Sequence, residues 1–251
     1  LVSTLVTEDI DSLCSQPCEN LLSLLLQLQS HPFISTVLPV LECWLTVQEI
    51  PVADRHVNWT KPLLQQVVAG LILRVAYPVD DTVDDEDEFR ELRRMVTDVL
   101  ISSYFLLRHE YLQYMRQLIM TPQQQWNAVE AALFGLNQVS KDVCERLKSR
   151  APGESVRVDR ETTAQELGNL VQHLMQTRQQ WSNILVDKAI AKFLGSYAPA
   201  WSVISAPNDL LQLVSFLQSQ NGASSSEETA RAIRSIYVAC GSKLVEVPQQ
   251  L

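Results

Sequence analysis

The stretch WNAVEAALFGLNQVSKDV, Trp126 to Val143, decides how the rest of the chain is read. Its larger apolar residues, Val129, Leu133, Leu136, Val139 and Val143, with Leu147 just beyond, advance in steps of three and four. That spacing lays one continuous apolar stripe along a helix. Beside the stripe stand Ala128, Ala131, Ala132 and Gly135. Small side chains let a second helix backbone come close, so this helix is expected to have neighbours on more than one side. Stacked helices are the expectation, rather than a lone helix on a surface.

Outward from this stretch the same periodicity recurs. Helical patterns cover Glu19 to Gln29, Ile34 to Glu49, Asn58 to Tyr77, Asp85 to Leu107, Glu110 to Ile119, Gln123 to Leu147, Thr163 to Gln176, Ser182 to Gly195, Asn208 to Ser219 and Ser225 to Cys240. Val156 to Val158 and Lys243 to Val247 have some β character, but they are short and lie beside Pro or charged residues, so they are read as connections. The fold class is therefore all-α. Thr163 with Glu166 and Ser225 with Glu228 have the spacing of a capping box and mark two helix starts. Pro78 can close a helix, Pro122 precedes the opening helix, and Asn208 or Asp209 after Pro207 can start another. Pro39 either kinks the Ile34 to Glu49 helix or delays its start. Residues Lys148 to Glu161, with Pro152 and Gly153, read as an exposed loop.

Such helices with short connections admit a bundle, a globin-like packing or an α-solenoid. Leu63, Leu64, Val67, Val68, Leu71, Ile72, Val75 and Ala76 cover more than half of one helix's circumference. A face that wide is what a helix needs when it touches its pair partner and both adjacent repeats. No repeat period stands out, but HEAT-type repeats are degenerate.

The chain of 251 residues is 46% hydrophobic and 20% charged, which argues against disorder and for a large core or repeated units. The most apolar run, Leu63 to Ala76, is interrupted by Gln65, Gln66 and Arg74 and is shorter than the roughly 18 residues of a membrane span, so a soluble protein is expected. There is no secretory signal pattern. Cys14, Cys18, Cys43, Cys144 and Cys240 lie mostly in apolar helical patterns, as buried thiols of a reducing compartment do. A net charge of −9 disfavours broad attraction to nucleic acid or anionic lipid and favours basic protein segments.

Catalytic and metal chemistry find no support in the residues. Cys14 and Cys18 have no second pair at zinc spacing, and His31, His56, His109 and His173 are scattered. His109 beside Glu110 invites a general base, but no nucleophile motif or phosphate-binding glycine loop accompanies it. No enzyme, no metal and no cofactor are expected. Trp44, Trp126, Trp181 and Trp201 fit core packing better than a ligand cage, and Trp59 stands where a neighbouring repeat or a partner could cover it. The basic residues Lys148, Arg150, Arg157 and Arg160 alternate with Glu154, Asp159 and Glu161, which fits a solvated segment rather than an RNA contact.

Several segments in order resemble the karyopherin-β nuclear transport receptors, in particular their transportin-SR and importin thirteen branch. HPFISTVLPVLECWLTV is similar to a receptor helix ending in an aromatic-Trp motif, with Cys43-Trp44 here. DDEDEFRELRRMVTDVL is similar to the family's acidic-Phe-x-x-x-Arg-x-x-Val-x-Asp-Leu pattern through Phe89, Arg93, Val96, Asp98 and Leu100. The opening stretch matches W-x-x-x-E-A-x-L-F through Trp126, Glu130, Ala131, Leu133 and Phe134. TAQELGNLVQHLM, SNILVDKAIAKFLGSYA, DLLQLVSFLQS and ETARAIRSIYVAC follow at the family's distances, so the resemblance spans about residues 20 to 245. It implies a right-handed α-solenoid of HEAT-like antiparallel helix pairs, residues 1–251 forming one continuous piece of a longer receptor beyond its principal Ran-binding repeats. It also implies protein cargo on the concave side, release under Ran-GTP control, contacts with Phe-Gly nucleoporins, and shuttling between nucleus and cytoplasm, with import the direction. No direct nucleic acid and no membrane enter this scheme. The alternative is a constitutive HEAT-repeat scaffold of a large complex without nucleotide control.

The acidic run Asp80, Asp81, Asp84, Asp85, Glu86, Asp87 and Glu88 is the candidate contact for basic cargo or for Ran. Its plainer explanation is a loop entering a helix whose N-terminal dipole favours carboxylates, with Arg90, Arg93 and Arg94 offsetting the charge one turn on.

Overall fold

The computed structural model describes residues 19–54, 59, 61–79, 83, 85–149, 152–219 and 226–245. Among them all regular structure is helical, with no strand. The helices are α1 (Glu19–Leu28), α2 (Ile34–Glu49), α3 (Lys61–Arg74), α4 (Glu86–Leu107), α5 (His109–Met120), α6 (Trp126–Gln138), α7 (Ser140–Lys148), α8 (Glu154–Thr177), α9 (Ile184–Ser196), α10 (Ala198–Ile204), α11 (Pro207–Ser219) and α12 (Ser226–Val245). Short 3-10 turns occupy Val52–Asp54 and Arg178–Gln180. The chain divides into two compact units, one through Tyr111 and one from Leu112 onward.

In the unit ending at Tyr111, α4 packs on α2 and α3, and α1 lies against α2 and α3. The wide apolar face expected of α3 is real: Leu63–Leu64, Val67–Val68 and Leu71–Ile72 are buried pairs, and Gln65 and Gln66 between them are exposed. Burying a Leu, Ile or Val side chain contributes about 1.5–3 kcal/mol, so this face anchors the unit. α2 begins at Ile34, upstream of Pro39, so the proline does not delay its start. Arg93 of α4 donates from Nε and Nη2 to the Val75 carbonyl at 3.1 and 2.8 Å, and its guanidinium lies 4.4 Å from the Tyr77 ring centroid. One side chain thus closes the end of α3 and stacks on the segment that leaves it. Arg108 ends α4 with φ 53°, a conformation that few L-residues adopt; its amide bonds to the Tyr104 carbonyl at 2.8 Å and its guanidinium covers the Phe105 ring at 5.1 Å.

In the unit from Leu112, α6 packs on α9, α7 on α10, and α12 on α9, α10 and α11, while α8 packs on α7. The stripe of Val129, Leu133, Leu136, Val139, Val143 and Leu147 is fully buried, and so are Ala131, Ala132 and Gly135 beside it. The Gln123 to Leu147 pattern is nonetheless two helices. Val139 takes φ −97° and ψ 4° between α6 and α7. α8 starts at Glu154, so the exposed loop expected over 148–161 shrinks to a connection, and Val156 and Val158 are helical. Gly153, at φ 134°, makes the turn into α8, a backbone conformation that favours glycine. Thr163 therefore lies inside a helix, buried, and forms no capping box. α12 starts at Ser226, in keeping with a start near Ser225, which lies outside the described residues. Asn183 caps α9 by accepting from the Leu185 amide at 2.7 Å, and Asp209 in the first turn of α11 accepts from Ala206 N at 3.1 Å.

Candidate functional site

The acidic run enters α4. Asp80, Asp81 and Asp84 lie outside the described residues. Asp85 is the N-cap: its Oδ1 accepts from the Asp87 amide at 3.0 Å and the Glu88 amide at 2.9 Å. Glu86 and Asp87 both face Arg90, at 3.9 and 2.6 Å, and all three are exposed. Glu88 sits close enough to Arg74 for its charge to hold that guanidinium's pKa up, against the larger downward effect of burial. Arg74 in turn donates to the Pro32 carbonyl at 2.7 Å. Each described member of the run thus has a task within the fold, while Glu86 and Asp87 also present carboxylates to solvent. Exposed pairs of this kind contribute at most about 1 kcal/mol, so they leave the carboxylates open to exchange partners.

The cap and the surface role separate by substitution. Asp85→Ala is expected to lower stability by about 1 kcal/mol, since two first-turn amides lose their acceptor, whereas Asp87→Asn is expected to change it by less than about 0.5 kcal/mol. Equal losses in urea denaturation for the two would refute this division.

Most of the other charged candidates are occupied within the chain, Lys148 being exposed at the end of α7. Arg157 pairs with Glu154 at 2.9 Å and Glu161 at 3.9 Å, Arg146 pairs with Asp159, and Arg160 donates to the Ser149 carbonyl at 3.1 Å. The basic segment is therefore a self-neutralised helix start; Arg150 lies outside the described residues. Glu110 beside His109 pairs with Lys61 at 3.0 Å. Trp44, Trp181 and Trp201 are buried, Trp126 is half-buried, and Trp59 is buried edge-on to Trp44 with ring centroids 6.0 Å apart. Trp44, Trp59, Trp181 and Trp201 are core, Trp126 reaches it only in part, and a neighbour within the chain covers Trp59. No group of three or more His, Cys, Asp or Glu among the described residues is placed to hold a metal ion. No described helix is long and apolar enough to cross a membrane.

Cys43, Cys144 and Cys240 are free and buried, and Cys14 and Cys18 lie outside the described residues. Burial pushes the Cys43 and Cys144 thiols up from 9.0 to about 11. In the unfolded chain they ionise near the ordinary value, and in the fold they resist. Their contribution is therefore full below pH 9.0 and is lost as pH rises toward about 11. The urea midpoint is expected to fall through that window, and Cys43→Ala and Cys144→Ala each to flatten the decline. A slope that neither variant changes would exclude the thiols as its cause.

Two grooves escaped the sequence reading. One, about 120 Å³, lies among α8, α10 and α11, with Gly168, Val171 and Met175 on one wall and Ile204, Asp209 and Leu213 on the other. The second, about 370 Å³, runs along α9 and α12 and carries Lys192, Ser196, Glu228, Arg231 and Ser235. Gly168 inside a helical pattern was a signal for the first; the second joins positions far apart in sequence and had none. No protein-family model and no curated protein matches this chain.

Proposed function

We propose that this chain is a HEAT-like segment, a right-handed α-solenoid of antiparallel helix pairs, from a nuclear transport receptor of the karyopherin-β type. The observation that carries this is the packing order in the unit from Leu112. The α6–α7 pair lies against the α9–α10 pair, and that pair lies against α12, with α8 and α11 joining successive members along the chain. Elements that pack on the next but one, with an intervening helix between them in sequence, are the pattern of stacked repeats. The unit ending at Tyr111 has the same habit, with α2 against α4 and α3 between them in sequence. Motif residues of the resemblance serve this packing: Phe89, Val96 and Leu100 are buried in α4, and Ala131 and Leu133 in α6.

In this function the chain catalyses nothing and holds no cofactor. Its partners are protein cargo with basic segments, Ran-GTP and Phe-Gly nucleoporins, without direct nucleic acid or membrane binding, as it shuttles between cytoplasm and nucleus in the import direction. The net charge of −9 and the solvent-facing Glu86 and Asp87 suit a basic partner through steering of its approach. The test is capture of partners by the longest chain that contains this segment, with and without GTP-locked Ran. Release of bound protein by GTP-locked Ran is the expected result. Capture that Ran leaves unchanged would point instead to a constitutive scaffold.

A further inference from the structure

Two helices in the unit from Leu112 are interrupted in the same way. α6 gives way to α7 at Val139 (φ −97°, ψ 4°), and α9 gives way to α10 at Tyr197 (φ −90°, ψ 6°). Both residues adopt the sparsely populated bridge conformation, and both are fully buried. At each break an aromatic side chain donates to the carbonyl three residues upstream. The Tyr197 hydroxyl donates to Leu136 O at 2.9 Å, and the Trp201 indole Nε1 donates to Leu194 O at 2.8 Å. Tyr197 is thus the break in one helix and the donor at the break in the other. Neighbouring helices reach the carbonyls on either side of it: the Cys144 thiol of α7 donates to Ser196 O at 3.8 Å, and the Cys240 thiol of α12 to Ala198 O at 3.6 Å. The Phe193, Tyr197 and Trp201 rings pack against one another, with centroids 4.7 to 5.9 Å apart.

We propose that the two breaks are one hinge, joined through Tyr197, so that the α6–α7 and α9–α10 pairs bend together. Any change of backbone angle at Tyr197 moves its ring and withdraws the hydroxyl from Leu136 O. A buried carbonyl deprived of its donor is costly, so the second break yields when the first does. The Leu136 and Leu194 carbonyls take side-chain donors, while main-chain bonds continue on either side of each break, with Tyr197 N donating to Phe193 O at 3.1 Å, Trp201 N to Tyr197 O at 3.1 Å and Val143 N to Val139 O at 3.0 Å, so the helices can stay wound as the angle between them changes. The hinge stands on these contacts alone and is independent of the transport function.

Native-state hydrogen exchange reads this directly. In Tyr197→Phe the amides just after Val139 and those just after Tyr197 are expected to exchange faster by the same factor, about five- to tenfold, while amides within α8 and α11 keep their rates. Cys240→Ala is the milder companion. It withdraws a donor from Ala198 O only, so any acceleration it causes after Val139 must pass through Tyr197, and such acceleration is expected. Acceleration by Tyr197→Phe confined to α7, or by Cys240→Ala confined to α10, would show two independent breaks and overturn the proposal. So would unchanged rates at both breaks, or a uniform rise that includes α8 and α11, which marks global unfolding instead.

Discussion

Trp44→Ala is expected to lower the stability of the unit ending at Tyr111 by about 3–5 kcal/mol, the range for removing a large buried aromatic and leaving a cavity. Trp44 is 1% exposed, and its indole N–H donates to the Gln29 Oε1 at 3.1 Å. Gln29 is itself buried, and its Nε2 lies where a β-carbon on Gly70 would stand, 2.2 Å away. The amide is therefore held between an indole donor on one helix and a glycine on another. Loss of the indole removes the packing around it, including the edge-on contact with Trp59, and leaves the amide oxygen without its donor. Gln29→Ala, which orphans the indole N–H but keeps most of the core, is expected to cost less, about 1–3 kcal/mol. Urea denaturation followed by a probe in α2 or α4 measures both. A loss below about 1 kcal/mol for Trp44→Ala would mean that this indole is not the centre of the unit's core.

These residues also mark what was legible in the sequence. α2 has the limits its apolar spacing predicts, Ile34 to Glu49, and α4 differs by one residue because Asp85, expected inside the helix, is its cap. The Asp85 cap could be read because an N-terminal carboxylate acts within its own turn. The break at Val139 could not. The apolar stripe runs through it unaltered, and the bend is held both by Ser140, whose Oγ donates to Asn137 O at 2.8 Å, and by the Tyr197 hydroxyl, far along the chain. The start of α8 was missed for the opposite reason: in Glu154 to Glu161 the apolar residues Val156 and Val158 are exposed and alternate as in a strand, and the helix is laced by Arg157 with Glu154 and Glu161 rather than announced by an apolar face. α10 has seven residues with Pro199 in its first turn, too short for a period to show. The grooves combine residues from 164–175 with 201–213, and from 191–196 with 228–235. Proximity of that kind is made by packing and leaves no local pattern.

Small residues also bring two helix backbones together at the crossing of α9 and α12. A β-carbon built on Gly195 would lie 2.9 Å from the Ala232 Cα and 3.1 Å from its Cβ. The obstacle is backbone, which cannot swing aside as the end of a side chain can. Ala232 is buried, and α12 rests on α9, α10 and α11 together, so relief at Gly195 requires moving a helix held on three sides. Gly195→Leu is therefore expected to destabilise the unit from Leu112 by about 3 kcal/mol, at the upper end of overpacking costs. Gly195→Ala should fall between, because about 1 kcal/mol of helix propensity offsets part of the clash. Gly168 and Gly241 provide the contrast: nothing lies within 4 Å of the β-carbon either would gain. Gly168→Ala and Gly241→Ala are accordingly expected to stabilise by about 0.5–1 kcal/mol. Four thermal melts decide the matter through their order. If Gly195→Leu melts with the parent protein, the two helix backbones are not in contact at this crossing, and the close stacking of α9 on α12 fails.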